Sequence, residues 1–218
     1  GVTSLVRDTY GEGKIVGSAQ REKHGNAAQG QYVADIEEGG ALEVVLASGP
    51  DRIVYFVVPD DPWNGVWEKV EVTGADDGTH EGVGIGDIDG DGDPDMAGHI
   101  GSRPDHVRWW ENPGDGGGNW EHTDVGRATQ YVDRCRIADL NGDGLPDIAV
   151  TCTYDGDLWW FENHDNGAAW TGHKFGNAGG SAHGLDWADL DRDGDIDLVS
   201  GTTTDGDRCK VWENTDGK

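Results

Sequence analysis

The chain has 218 residues, of which 43 are acidic and 16 are basic, so its formal net charge is −27. So negative a surface repels phosphate backbones, which argues against nucleic-acid binding, and no apolar run approaches the roughly 20 residues that span a bilayer. The 37 glycines, ten tryptophans and single methionine favour short strands and tight turns over long helices. We therefore expect an all-β protein without membrane insertion.

An acidic nine-residue segment recurs along the chain at nearly constant intervals. It occupies residues 35–43 in a degenerate form and, more completely, residues 87–95, 139–147 and 189–197. The starting aspartates are 52, 52 and 50 residues apart, which indicates one supersecondary unit repeated four times.

Each unit carries further matching segments, which together predict four short strands. One strand precedes the acidic segment and one follows it, as in PDMAGHI, PDIAVTC and IDLVSGT. A third strand contains a WWEN-like pattern, as in VRWWENP at residues 107–113, and a tryptophan begins the fourth, as in NWEHTDV at 119–125. Four antiparallel strands per repeat of this length are typical of a β-propeller blade.

Aromatic residues recur at one register of the third strand. Phe56, Trp110, Phe161 and Trp212 occupy equivalent positions in the four repeats. Repetition at equivalent sites predicts that these rings pack between neighbouring repeats.

The acidic segments offer oxygen atoms in the arrangement that calcium prefers. Side-chain oxygens at loop positions 1, 3, 5 and 9, a carbonyl at position 7 and a glycine at position 6 form a cage for a hard cation. The predicted ligands are Asp87, Asp89, Asp91, Asp93 and Asp95; Asp139, Asn141, Asp143, Leu145 and Asp147; and Asp189, Asp191, Asp193, Asp195 and Asp197. We expect about three calcium ions. The site at residues 35–43 should be empty or weak, because Gly39 stands at position 5.

Neither an EF-hand nor a merely solvated turn accounts for these loops as well as a calcium cage between strands does. An EF-hand needs a glutamate at position 12 between two helices, whereas position 12 is Gly98, Val150 or Ser200 here, between strand-like segments. A solvated acidic turn would account for one copy but not for three at the same place in a repeating unit.

The pattern DxDGDGxPD between two strands, followed by a WxEN strand, resembles the FG-GAP and VCBS repeats of calcium-binding β-propellers, to which the integrin α-subunit head is related. The resemblance covers nearly the whole chain in four copies. It implies calcium in the loop that joins the first two strands of a blade, an extracellular or cell-surface location, and often adhesion or glycan recognition. It implies no single activity.

Four copies predict one domain over residues 1–218, a four-bladed propeller. The last repeat ends before a tryptophan-led strand, so residues 9–17 are predicted to supply that strand and close the ring, which leaves no sheet edge exposed. A monomer is then favoured. The alternatives are a part of a larger propeller and one half of a dimeric ring.

The segments before each first strand differ between repeats, and in propellers these connections form one face. They are expected to bring polar residues to one face, namely Arg21, Lys23, His24, His80, Glu81, Tyr131, Asp133, Arg134 and His183. The candidate ligand-binding residues among them are His24, His80, Tyr131, Arg134 and His183. Such a mixture suits a sugar or uronate ligand, which needs paired donors and acceptors, a cation and an aromatic surface. The alternative is that these are ordinary polar loop residues.

Three classes of function are compatible with these features. The first is a secreted, calcium-stabilised module that binds glycans or other surface ligands. The second is a polysaccharide lyase-like enzyme acting on uronate-containing glycans, with His80, His183, Tyr131 and Arg134 as candidate acid–base and neutralising groups, although no catalytic motif supports it. The third is a structural subunit of an extracellular assembly.

The cysteines leave two possibilities open. If Asp139 pairs with Ile148 in the hairpin, Cys135 lies opposite Cys152 and a cross-strand disulfide becomes possible. The alternative is a buried free thiol.

Overall fold

The structure, a computed structural model, describes residues 30–37, 40–48, 51–74, 77–79, 81–203 and 208–215. Within these ranges the chain forms fifteen strands and no helix, and hence no helix long and apolar enough to cross a membrane. Four antiparallel sheets, A to D, each contain consecutive strands in chain order. The predicted all-β fold with blade-like units is therefore confirmed.

The first two repeats form sheets A and B. Sheet A contains β1 (Gly30–Ala34), β2 (Glu43–Ser48), β3 (Arg52–Val57) and β4 (Glu68–Glu71). Sheet B contains β5 (Gly84–Gly86), β6 (Asp95–Ile100), β7 (Arg103–Trp110) and β8 (His122–Arg127). In both sheets the acidic segment joins the first strand to the second, as the sequence predicts.

The last two repeats form sheets C and D. Sheet C contains β9 (Val132–Ala138), β10 (Asp147–Cys152), β11 (Asp157–His164) and β12 (Ala169–Asn177). Sheet D contains β13 (Ala182–Ala188), β14 (Asp197–Thr202) and β15 (Cys209–Trp212). Residues 9–17, the predicted fourth strand of sheet D, lie outside the described residues, so ring closure stays a prediction.

In sheets B, C and D the aromatic residue of the third strand packs against the preceding sheet. Trp110 is fully buried in one cluster with Val45 and Tyr55 of sheet A. Phe161 occupies the core shared by sheets B and C, and Trp212 packs against the cluster between sheets C and D. The prediction that these rings fill the spaces between repeats is confirmed for the three pairs of neighbouring sheets.

The first strands of the sheets lie close to one another. Tyr32, Gly84, Arg136 and Asp186 occupy equivalent register positions, each two residues before the end of its strand. The Arg136 guanidinium lies 5.8 Å from the Tyr32 ring centre, and its Nε is 3.5 Å from Asp186 Oδ1. A Cβ atom on Gly84 would lie 3.0 Å from the Cys135 sulfur, so glycine allows β5 to approach β9. The first strands of sheets A, B and D therefore all lie next to β9, the first strand of sheet C.

The sequence-based pairing of β9 with β10 is wrong by two residues. Ala138 pairs with Asp147, and Val150 lies opposite Cys135, while a register shift places Cys152 opposite Val132. Cys135 and Cys152 are consequently buried free thiols, and the disulfide alternative is incorrect.

The second residue of each acidic loop has a different environment in the last repeat. Ile36, Ile88 and Leu140 are 1%, 0% and 8% exposed, whereas Leu190 is 49% exposed. The first three side chains each lie beside a following sheet. Other exposed large apolar residues are also concentrated in the first and last repeats, namely Val33, Leu42, Trp63, Val66, Trp187 and Val211.

Candidate calcium loops and the adjoining polar cluster

Each complete acidic loop folds around the carboxylate at its first position. Asp87 accepts hydrogen bonds from the backbone N–H groups of Gly90 at 2.8 Å and Gly92 at 3.2 Å. Positive φ angles of 82° and 104° at these glycines suit residues without a Cβ atom. Asp139 and Asp189 make the same two bonds in their loops.

The loop in sheet D departs from this pattern at its fourth position. Arg192 stands where the other complete loops have glycine, and its φ is 68°. A residue with a Cβ atom in the left-handed region costs roughly 1–2 kcal/mol. This loop therefore carries a local strain that the loops of sheets B and C avoid.

The aspartate at position 9 joins the loop to the sheet. Asp95 is fully buried, and its two oxygens accept from the N–H groups of Ile88 at 2.8 Å and Asn112 at 2.9 Å. Burial, followed by the nearby loop carboxylates, raises the pKa of Asp95 to about 7. The same causes raise the pKa of Asp147 to about 6.

Carboxylate oxygens converge in two of the three complete loops. One oxygen from each of Asp87, Asp89 and Asp95 lies within 4.8 Å of the others, and Asp189, Asp191 and Asp193 form a similar group. Burial and the neighbouring carboxylates raise the pKa of Asp89, so the crowding is unfavourable unless a cation offsets it. A set made of oxygen ligands alone fits calcium better than softer metals.

The loop of sheet C has fewer charges at the same positions. Its third residue is Asn141, whose amide donates to Asp143 Oδ2 at 3.1 Å and to Glu162 Oε1 at 3.2 Å. The other predicted carboxylate ligands lie on the three loops outside the convergent groups: Asp91, Asp93, Asp139, Asp143, Asp147, Asp195 and Asp197. Asn141 and Leu145 would offer an amide and a backbone oxygen instead.

A glutamate of the third strand also faces each of two loops, which the loop motif alone did not lead us to expect. Glu162 contacts Asn141, and the loop carboxylates of Asp89 and Asp91, after burial, raise the pKa of Glu111. The signal was present in the sequence, because this glutamate recurs in every WxEN-like segment except the first.

The degenerate loop at residues 35–43 uses its acids differently. Glu43 is fully buried, and its Oε2 accepts from the N–H of Ile36 at 2.7 Å, while its Oε1 has no hydrogen-bond partner. Glu37 accepts from the Tyr55 hydroxyl at 2.8 Å. Among the described residues these acids form no convergent group, and Gly39 lies outside them, so the empty or weak site stays a prediction.

A polar cluster joins sheets B, C and D near the starts of their first strands. Buried Asp133 contacts Arg134 and His183 through its two carboxylate oxygens and accepts from the Thr153 hydroxyl at 3.0 Å. The cluster thus brings together two of the predicted ligand-binding residues, Arg134 and His183. His24 and His80 lie outside the described residues.

Tyr131 connects this cluster to sheet B. Its hydroxyl donates to Glu81 Oε1 at 3.3 Å, and Arg134 Nη1 lies 3.6 Å from the other oxygen of Glu81. Its ring packs against His99 and the exposed Tyr154, with centres 5.3 and 5.8 Å apart. Burial and then the Glu81 charge raise the pKa of Tyr131, so the phenol keeps its proton.

The fold and loops define a β-sheet repeat protein with oxygen-rich acidic turns. A family profile for the FG-GAP-like repeat matches residues 99–150 and 139–200. Residues 99–200 thus match the FG-GAP-like repeat, as the resemblance of the motifs indicated. No curated protein matches the chain significantly.

Proposed function

We propose that the protein is a calcium-stabilised β-propeller module of the extracellular or cell-surface type. The observation that carries this proposal is the convergence of carboxylate oxygens in loops with one repeated hydrogen-bond pattern. The FG-GAP-like repeats support the same function.

Four blades around one axis form the proposed architecture. The contact between Arg136 and Tyr32 supports it, because it joins sheets C and A, which are not consecutive in the chain but would face each other across the axis of a four-bladed ring. Closure by residues 9–17 would place a fourth strand beside β15 and remove the exposed edge of sheet D.

Calcium would be held by the oxygens at loop positions 1, 3, 5 and 9 and by the carbonyl at position 7. A bound ion supplies positive charge that offsets the crowded carboxylates. The residues of the chain do the rest: Asp87, Asp139 and Asp189 shape their loops through backbone bonds, and Asp95 and Asp147 anchor theirs in the sheets.

Thermal unfolding in calcium and in excess chelator tests this function. Ions that bind only the folded loops stabilise by about 2.7 kcal/mol per site at a hundredfold excess over Kd. We expect a markedly higher melting temperature in calcium than in chelator, and a smaller effect of magnesium, which accepts such flexible oxygen cages less readily. Identical melting curves in calcium and chelator would show that the loops hold no ion.

The polar cluster is the proposed binding face for a glycan. Tyr154 offers an exposed ring beside Tyr131, and His183 belongs to the same cluster through Asp133, a combination that suits the C–H face and hydroxyls of a sugar. Arg134 is already paired with Asp133 and Glu81, which favours a neutral sugar over a uronate. A glycan array probed with the protein and a Tyr154→Ala variant tests this, and equal signals from both would contradict it.

The same geometry does not favour the lyase alternative. Its neutralising cation would be Arg134, which is engaged by two carboxylates. One of its candidate bases, Tyr131, holds its proton more tightly than usual because its pKa is raised, and another, His183, contacts Asp133.

A further inference from the structure

The asparagine that ends each WxEN segment makes the same bonds in three repeats. The backbone N–H groups of Asn112, Asn163 and Asn214 donate to the position-9 aspartates of their own loops at 2.9, 2.8 and 2.9 Å. Their side-chain amides also donate to the carbonyl at position 8 of the same loop, at 3.1, 3.0 and 3.4 Å. Each asparagine is therefore fixed to the loop of its own repeat.

The same amides also reach the loop of the preceding repeat. Asn112 donates to the carbonyl of Ile36 at 2.9 Å, Asn163 to Ile88 at 2.9 Å and Asn214 to Leu140 at 2.8 Å. In every case the acceptor is the residue at loop position 2.

The residue that accepts the asparagine amide is itself hydrogen-bonded to a predicted calcium ligand. The N–H groups of Ile88 and Leu140 donate to Asp95 and Asp147, the position-9 aspartates of their own loops, at 2.8 and 3.0 Å. A continuous path of hydrogen bonds thus runs from the position-9 acid of one loop, through the asparagine, to the position-9 acid of the loop before it.

We propose that Asn163 and Asn214 are positioning residues that couple successive calcium loops, so that binding in one loop raises the affinity of its neighbour. This inference rests on the proposed calcium function. Asn163 is fully buried, so its donors must stay paired, and a loop ordered by an ion holds the asparagine where the next loop needs it.

The coupling runs in one line along the chain and stops at the junction of the last and first repeats. Sheet A has Val58 at the position of the asparagines, and a valine side chain cannot donate. The carbonyl of Leu190 correspondingly receives no such amide from the described residues. The loops at 87–95, 139–147 and 189–197 therefore form the coupled set.

Residue-resolved calcium titration by two-dimensional NMR tests the coupling. The amide resonances of the position-6 glycines report each loop separately, namely Gly92, Gly144 and Gly194. An Asp87→Ala change removes binding in the first loop of the set. We expect the affinity reported by Gly144 to fall about fivefold in that variant, and to be insensitive to Asp87→Ala when Asn163→Leu is also present.

Asn177 supplies a matched control. Its side chain also makes three bonds, to Asp155 O at 2.8 Å, Asp157 Oδ1 at 2.6 Å and the Gly179 N–H at 2.8 Å, but on the side of sheet C away from the loops. Asn177→Leu should leave the effect of Asp87→Ala on Gly144 unchanged.

The outcomes separate the coupling from the calcium function. If the loops bind calcium but Gly144 reports the same affinity with and without Asp87→Ala, the coupling is wrong and the function stands. A fall that persists in the Asn163→Leu background overturns the role of the asparagine. If no glycine responds to calcium, the proposed function itself is wrong. Should Asn163→Leu fail to fold, Asn214→Leu with Asp189→Ala, read at Gly144, tests the next link.

Discussion

Sheets C and D repeat one sequence pattern in two different environments. Sheet C has a neighbour on both faces, and its position-2 residue Leu140 is 8% exposed, whereas Leu190 in sheet D is 49% exposed. The predicted ligands Asp139 and Asn141 are half-buried, but Asp189 and Asp191 are exposed. A repeat of this kind is therefore completed by the next one, so burial depends on neighbours as well as on sequence.

Removing a buried ring from sheet C should have the largest effect. Phe161 is fully buried between sheets B and C, so Phe161→Ala should lower the free energy of unfolding by about 3–5 kcal/mol. Val211 of sheet D is 60% exposed, and Val211→Ala should change the free energy of unfolding by less than about 0.5 kcal/mol. Equal losses in urea unfolding would mean that sheet D is covered as fully as sheet C.

A smaller effect is expected from removing one of the proposed calcium ligands of sheet C. At saturating calcium, Asp143→Ala should cost about 2.7 kcal/mol, the contribution of one site at a hundredfold excess over Kd, and much less in chelator. Glu37→Ala instead removes the acceptor of the Tyr55 hydroxyl and should cost about 1 kcal/mol with or without calcium. If the stability lost in Glu37→Ala depended on calcium, the degenerate loop would hold an ion, contrary to this expectation.

The buried acids predict how stability changes with pH in the absence of calcium. Because burial raises the pKa of Asp95 to about 7 and that of Asp147 to about 6, folding favours their protonated forms. The contribution of the two protonated carboxyl groups to the free energy of unfolding is fully present below about pH 4, and it is lost as the pH rises through these pKa values. The free energy of unfolding in chelator should therefore fall from about pH 4 to about pH 7.

Calcium should oppose this trend, since it binds the ionised carboxylates. Chemical unfolding at several pH values measures the loss of stability in chelator and its reversal by calcium. Asp147→Asn distinguishes this cause from general repulsion among the surface charges, because it should flatten only the part of the curve that Asp147 contributes. An unchanged curve for that variant would assign the pH dependence to surface charge.

The smallest expected change concerns the strained turn of sheet D. Arg192→Gly should relieve the left-handed backbone and raise the free energy of unfolding by up to about 1 kcal/mol, since added chain entropy offsets part of the gain. Gly142→Ala in sheet C, where φ is 74°, should do the reverse. Thermal unfolding of both variants checks this, and a loss of stability in Arg192→Gly would contradict it.

The repeated parts of the fold were predictable from sequence because each pattern occurs several times. Strand number in the first three repeats, the position of the acidic loops and the burial of Trp110 and Phe161 follow from period and register. The pairing of β9 with β10 was not predictable. The conformation of the acidic loop determines which residues face each other, and an irregularity between Val150 and Cys152 shifts the register by one further residue.

The candidate sites show a similar division. The predicted loop ligands follow from spacing alone, whereas the contacts of Arg134 with Glu81 and of His183 with Asp133 join positions that are about 50 residues apart and that only the fold brings together. Asp133 lies in a segment that was expected at this face, but its burial and its contacts with His183 and Thr153 could not be predicted from sequence.

The hydrogen bonds that the WxEN asparagines make to neighbouring repeats also have a direction along the chain, which bears on biosynthesis. Each one points from a later repeat to an earlier one, as Asn163 does to Ile88. A ribosome releases the earlier repeat first, so the acceptor carbonyl is already available when the donor emerges. We therefore expect the sheets to dock in the order of translation, each newly made unit fastening onto the one before it, without waiting for the end of the chain.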